Sequence, residues 1–355
     1  MRIENKPSHG DGDDAPDYAV GMRTSADAAA DTAQRYRAFA KVEARGMSAC
    51  YEAWAAGVAE DPATIALIDR LPAAKRQPNL VFSAARFHGA EAGGYPDFRA
   101  WLAEHWAEVD QTCRTHATQT NEPGRCAVLL PALTGIPGPL ALIEVGASAG
   151  LCLLPDRYSY RYGPAGRLDP ADGPSPVLLD CAVTGAVPVP GRLPRVVWRA
   201  GIDLNPLDVT EPADVAWLEA LIWPEHDDRR ARLRAAVQVA REDPPRLVRG
   251  DLNDTVEALV AEAPPEVTIV VFHTAVLAYL DDDGRNRFVA TMGRLHTERD
   301  VRWLANEGRT VLPGIAETLP PTLPAASGSA DFVVALDGRA LALAQPHGRA
   351  VHWFG

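Results

Sequence analysis

Two hydrophobic periods divide the chain. From Ser25 to about residue 135 apolar positions recur at helical spacing, and beyond Pro139 short apolar runs alternate with amphipathic stretches. Ser25 can cap a helix reaching Arg45, with Tyr36, Phe39, Ala40 and Val42 recurring on one face and Gly46 as its stop. Ser48 starts a second helix through Val58. Asp61 followed by Pro62 is a cap with proline at the first helical position, opening Ala63 to Leu71. Pro78 introduces another helix through about Phe87. Pro96 opens a longer one in which Phe98, Trp101, Leu102, His105, Trp106 and Val109 follow the 3.6-residue period.

The runs after Pro139 are Leu140–Val145, Val196–Asp203, Arg246–Gly250, Val267–Phe272 and Val301–Ala305. Separated by helical stretches, of which Asp214 to Arg241 is the clearest crossover, they predict a parallel sheet covered on both faces. Phe332–Leu336 and Arg349–Phe354, with turn signals at Asp337-Gly338 and Pro346-His347-Gly348, predict a terminal antiparallel pair. The segment from Tyr158 to Leu193 is dense in proline and glycine and reads as an insertion, a hairpin excursion beside the site. The predicted class is α/β: a doubly wound, mostly parallel, Rossmann-like sheet with a terminal antiparallel strand pair, preceded by an all-helical N-terminal region. The expected divisions are a polar, disordered leader over residues 1–24, a helical region over 25–135, and the sheet domain over 136–355 with its insertion at about 158–193.

Composition narrows the partners. With 355 residues, 47% hydrophobic and 23% charged, the chain can bury a large core. A net charge of −12 argues against a broad nucleic-acid footprint. The five cysteines, Cys50, Cys113, Cys126, Cys152 and Cys181, are odd in number and never spaced C-x-x-C. They read as free thiols in a reducing compartment. The N-terminus lacks an apolar stretch of signal-peptide type and no apolar run spans a bilayer, so a cytoplasmic protein with no membrane partner is expected.

The chemistry concentrates at the carboxyl ends of the predicted strands, where open α/β sheets bind ligands. The first run ends in Glu144-Val-Gly146-Ala-Ser148-Ala-Gly150, an acid followed by a tight turn that hands over to a helix from Leu151, its glycines letting backbone approach a ligand closely. The second ends in Asp203, where ribose hydroxyls are held in nucleotide folds, with Leu204 next to it. The third leads to Asp251, an acid able to bond an adenine amine while Leu252 packs on the ring. His273, at the end of the fourth run, is either a general base or a structural histidine. Gln119, Asn121 and Arg125 precede the first strand. Arg125 can pair with a carboxylate, including that of a bound amino acid moiety, or serve a packing network between the two halves.

This order of strand-end residues resembles the class I S-adenosylmethionine-dependent methyltransferases. Their first motif is an acid followed by Gly-x-Gly-x-Gly, and serine stands here for the middle glycine. Gly201-Ile-Asp203 looks like their second motif and Gly250-Asp251 like their third. The 57 positions from Gly146 to Asp203 exceed the family's usual gap, and the insertion accounts for them. The resemblance implies methyl transfer to a small-molecule acceptor with S-adenosylmethionine as cofactor, and Glu144, Gly146, Ser148, Gly150, Asp203, Leu204, Asp251 and Leu252 around it. A second resemblance covers residues 30 to 354. The stretches at Arg35–Phe39, Lys75–Asn79, Thr118–Glu122, Glu144–Leu151, Asp203–Asp208, Trp223–Glu225 and Phe272–Tyr279 look like those of a bacterial family catalogued as domain of unknown function 2332, which implies no established activity.

Other chemistries are weighed against this one. No H-E-x-x-H or comparable ligand spacing predicts a metal site, and no G-x-x-x-x-G-K-[ST] loop predicts an ATPase. Gly146-Ala-Ser148-Ala-Gly150 also satisfies the G-x-S-x-G elbow of α/β-hydrolases, with Ser148 as nucleophile and His347 available later in the chain. A hydrolase leaves Glu144, Asp203 and Asp251 unexplained. A non-catalytic cofactor-binding module is the remaining alternative.

Overall fold

The computed structural model describes residues 25–321, 323 and 332–355; the expected leader, residues 1–24, lies outside the described residues. The N-terminal region is helical as its period predicts. Helix α1 (Ser25–Phe39) runs into a π-turn (Ala40–Ala44) before α2 (Ala49–Ala59) and α3 (Pro62–Ile68). The caps at Ser48 and Asp61 form, Ser48 Oγ accepting the Tyr51 amide at 3.0 Å and Asp61 Oδ1 the Ala63 amide at 2.9 Å, while the side chain of Ser25 lies outside what is described. After α4 (Pro78–Phe87), the single long helix expected beyond Pro96 is two, α5 (Tyr95–Glu104) and α6 (Trp106–Thr115). The break falls at His105, whose ring stacks 4.3 Å from that of Trp101 and whose Nδ1 meets the Trp101 carbonyl at 2.9 Å. Helix α7 (Cys126–Thr134) completes the region.

Strand β1 (Leu140–Val145) follows. The insertion then contributes β2 (Ser159–Arg161), β3 (Arg167–Leu168), β4 (Leu178–Asp180) and β5 (Ala182–Gly185). Next come β6 (Val196–Asp203), α8 (Pro212–Ala220), α9 (Asp227–Glu242), β7 (Arg246–Arg249), α10 (Leu252–Glu262), β8 (Thr268–Thr274), α11 (Asp282–Arg299) and β9 (Arg302–Gly308). The expected single crossover helix is thus α8 and α9, separated by a stretch holding Trp223-Pro224, where proline removes a helical hydrogen bond and restricts the residue before it. A short α12 (Pro313–Ala316) and strands β10 (Phe332–Leu336), β11 (Arg339–Ala344) and β12 (Ala350–Trp353) end the chain.

The large sheet has nine strands in the order β5-β12-β11-β10-β9-β8-β1-β6-β7. From β7 to β9 every neighbour is parallel, while β9, β10, β11 and β12 alternate antiparallel. The two late runs expected to pair with each other are both strands, but β11 lies between them. Strand β5 leaves the insertion to pair with β12 at the far edge, while β2, β3 and β4 form a separate small sheet.

Side chains alternate along β1 between two cores. Leu140 and Leu142 join the core shared with the helical half, and Ala141, Ile143 and Val145 join a second one beneath α10 and α11. In the first core Trp54 stacks on Phe98 at 3.9 Å, and Trp223, from the C-terminal half, lies 5.5 Å from Tyr51. The Trp223 indole donates to Asn79 Oδ1 at 2.9 Å. Residues of both halves belong to the same apolar cluster, so one continuous core joins the helical half to the sheet. All five cysteines are buried and unpaired. Among the described residues no helix is long and apolar enough to cross a membrane.

Candidate functional site at the strand ends

The turn after β1 is held by its own backbone. Gly146 and Ala147 both donate to the Ile202 carbonyl, at 2.8 and 3.0 Å, because β1 and β6 run parallel in register up to Val145 and Ile202. Gly146 has φ +71°, and a Cβ there would lie 2.3 Å from a γ-methyl of Val276. Gly150 also has φ +71°, and a Cβ would meet Pro245 at 2.6 Å. Only glycine satisfies both constraints. The turn does not lead into the expected helix: Leu151–Leu153 form a short 3-10 turn, so no α-helix N-terminus faces the strand ends from β1.

Asp203 closes the other side. Its Oδ2 accepts the Ser148 amide at 2.8 Å, and its Oδ1 accepts Gln119 Nε2 at 2.9 Å and the Asn205 amide at 2.8 Å. The residues expected to meet a ligand's carboxylate instead bind the protein. Gln119 also donates to the Asn205 carbonyl at 2.7 Å, and Asn121 bridges the Ala147 carbonyl (3.2 Å) and the Leu151 amide (2.8 Å). Arg125 Nη1 donates to the carbonyl and hydroxyl of Thr274 at 2.9 and 3.2 Å, and its Nε to the Pro346 carbonyl at 3.0 Å. The packing network is the alternative these bonds favour.

Beneath this roof lies a group of buried polar side chains with unused hydrogen-bonding capacity. Pairing of Glu144 with Phe272, Phe272 with Leu304, and Thr274 with Asn306 puts Glu144, Thr274 and Asn306 on the face under the helical half. Glu144 is 1% exposed and its Oε2 has no partner. Asn306 is fully buried, and neither atom of its amide is paired. Burial pushes the Glu144 carboxyl well above the usual carboxylate range; Cys152 and Asp203 add to the rise and Arg125 opposes it. Unsatisfied polar atoms at such depth are uncommon and mark a strained or functional position.

His273 projects to the opposite face, is fully buried, and has both ring nitrogens engaged. Nε2 accepts the Trp303 indole N–H at 2.9 Å, which leaves Nδ1 as the donor to Glu307 Oε1 at 2.7 Å. Neither nitrogen is open to remove a proton in this arrangement, which favours the structural histidine of the two alternatives. Glu307 Oε1 also accepts the Val276 and Leu277 amides at 2.8 and 3.1 Å. The pair therefore holds the turn whose Val276 covers Gly146. Glu307 and Trp303 carry no local sequence signal for this role, because their partner lies 34 and 30 residues away.

The remaining candidates divide. Asp251 caps α10 by accepting the Asn253 amide at 2.8 Å and keeps a side chain 42% exposed. Leu252, in the first turn of α10, is buried in the core. Leu204 is 70% exposed, an apolar side chain beside Asp203. Ser148 is 3% exposed and its hydroxyl donates to the Gln119 carbonyl at 3.0 Å. Among the described residues no histidine hydrogen-bonds to Ser148, so it lacks the base that an elbow nucleophile needs. Among the same residues no group of three His, Cys, Asp or Glu side chains is arranged to hold a metal ion.

A family model described as "Uncharacterized protein conserved in bacteria (DUF2332)" matches residues 33–353. Neither a curated protein nor a solved structure matches.

Proposed function

The chain belongs to the uncharacterized bacterial family DUF2332, and we propose that it is an S-adenosylmethionine-dependent methyltransferase for a small acceptor, built on a doubly wound, Rossmann-like sheet. The strand order supports this reading. Along the parallel part, β7-β6-β1-β8-β9, chain order reverses between β1 and β8, and in such sheets ligands lie outside the carboxyl ends at that reversal. Glu144, the Gly146 turn and Asp203 belong to these ends.

The observation that carries the reading is the combination of acidic strand ends with a glycine turn that starts no α-helix. Dinucleotides place a pyrophosphate on a helix N-terminus, which this turn lacks. A phosphate-free adenosyl cofactor bearing a sulfonium and an ammonium suits carboxylates instead. The residues present fit that group. Asp203 Oδ2 accepts one protein donor and retains a lone pair for a ribose hydroxyl. Asp251 offers a half-exposed carboxylate and Leu204 an exposed apolar side chain for the base. Glu144 Oε2, with no protein partner, would accept from the amino group. Gly146, Ser148 and Gly150 shape the turn, and Leu252 opens α10 beside Asp251. S-adenosylmethionine supplies an electrophilic methyl group when bound. The chain's own contribution is alignment and exclusion of water under Gln119, Asn121 and Arg125.

Calorimetric titration of the folded protein with S-adenosylmethionine and with its demethylated product tests the reading. Saturable binding of either is the expected result, and no binding by either overturns it. One observation favours a second reading, a cofactor-binding module without catalysis: His273 has no free ring nitrogen. That reading predicts binding with no cofactor consumed when the protein is incubated with a bacterial small-metabolite extract.

A further inference from the structure

A cleft of about 700 Å³ lies between α9 and the insertion strands β4 and β5, lined by residues that the strand-end site does not use. Val177, Leu178, Ala231 and Ala235 give it apolar walls, and Arg161, Arg232 and Arg349 enter it. Its volume suits a small organic ligand.

The charges around it do not balance locally. Glu122, 3% exposed, accepts Arg229 Nε at 2.6 Å and Arg232 Nε at 2.9 Å. Asp228 Oδ2 lies 3.7 Å from Arg232 Nη1 and pairs with Arg349 Nη2. Three guanidiniums thus share two carboxylates, in a chain whose net charge is −12. The mismatch has an atomic expression: Arg232 Nη2 is buried with no hydrogen-bond partner. A buried guanidinium N–H without an acceptor is costly, and a planar fork of donors matches carboxylate and phosphate oxygens. Arg161 forms an exposed pair with Asp180 at the rim.

We propose that this cleft binds a small organic anion, its carboxylate or phosphate group held by Arg232 and Arg349 and its apolar part lying on Val177, Leu178 and Ala235. Asp228 is then an internal competitor, occupying in the free protein the guanidiniums that the ligand's oxyanion engages. The proposal is independent of what binds at the strand ends.

Titration calorimetry at low ionic strength, with inorganic phosphate and with hexanoate as separate probes and chloride as control, tests it. Saturable binding of phosphate alone assigns a phosphate ester, of hexanoate alone a carboxylate, and of both a site for either group. Arg349→Ala should weaken the binding about tenfold, the worth of one hydrogen bond to a charged group. Asp228→Asn should tighten it by a similar factor, which a merely structural Asp228 would not do. Both positions are about half exposed, at 52% and 56%, so the variants should fold, and thermal melts check that they do. Failure of both probes to bind folded wild-type protein overturns the proposal. So does binding that neither substitution changes.

Discussion

The carboxylate of Asp203 accepts the amide of Ser148 at 2.8 Å, so the acid that ends β6 holds the turn that follows β1. Ser148 has φ +52°, a left-handed conformation that a non-glycine residue keeps only when its surroundings enforce it. In Asp203→Asn one side-chain atom becomes a donor. In either orientation an N–H then faces an N–H of Ser148, Gln119 or Asn205. The expected cost is about 1–3 kcal/mol in urea denaturation, and binding of S-adenosylmethionine should weaken in parallel.

Gly146 carries two separable constraints. Gly146→Ala pays about 1–2 kcal/mol for a left-handed alanine and about 1–3 kcal/mol more for the contact with Val276. Adding Val276→Ala should relieve the second part and leave the first. A double-mutant cycle measured by chemical denaturation checks this, and strictly additive effects would remove the steric account.

His273→Phe keeps a ring against Phe288, whose centroid lies 5.5 Å away, but strands the Trp303 indole N–H and removes one donor from Glu307. A loss of about 1–3 kcal/mol per stranded group is expected. Cofactor affinity should survive with the fold. If the variant folds as well as wild type yet loses only methyl transfer, His273 is a catalytic base after all.

Glu144 and His347 bias stability against pH in opposite directions. Burial raises the Glu144 carboxyl, so the folded chain keeps a proton that the unfolded chain releases above its ordinary value of 4.5. That contribution is full below this value and is lost as pH rises. His347 is lowered to about 3, by burial first and then by Arg229 and Arg125 against the opposing pull of Glu122. The unfolded chain takes up a proton below the ordinary 6.5 that the folded chain refuses, so this contribution is full above 6.5 and is lost as pH falls. Urea denaturation of Glu144→Gln should show its stability relative to wild type rising as pH climbs above the ordinary value of 4.5. His347→Gln should flatten an acid-side loss of up to about 1.4 kcal/mol per pH unit between 6.5 and about 3.

Much of the fold was legible in the chain. The two hydrophobic periods mark the helical half and the parallel strands, and the caps at Ser48 and Asp61 appear where the residues predict them. The misreadings share a cause. The breaks at His105 and between α8 and α9, and the missing helix after Gly150, depend on local geometry that a strong apolar period conceals. Strand β11 carries little strand signal because Arg339–Ala344 is half alanine and has no β-branched or aromatic residue.

The sequence by itself determined which polar residues stand at the carboxyl ends of the strands, because strand and turn are properties of neighbouring residues. Only the tertiary structure decided which of those residues are still available. Asp203 is met by Gln119 from 84 positions away and by Ser148 from 55, and His273 by Glu307 from 34. Glu144 and Asn306, whose side chains look no different in the sequence, are left buried with unpaired atoms. Hydrogen-bonding capacity is consumed by whatever the fold brings near, and that proximity is not written in any local stretch of the chain.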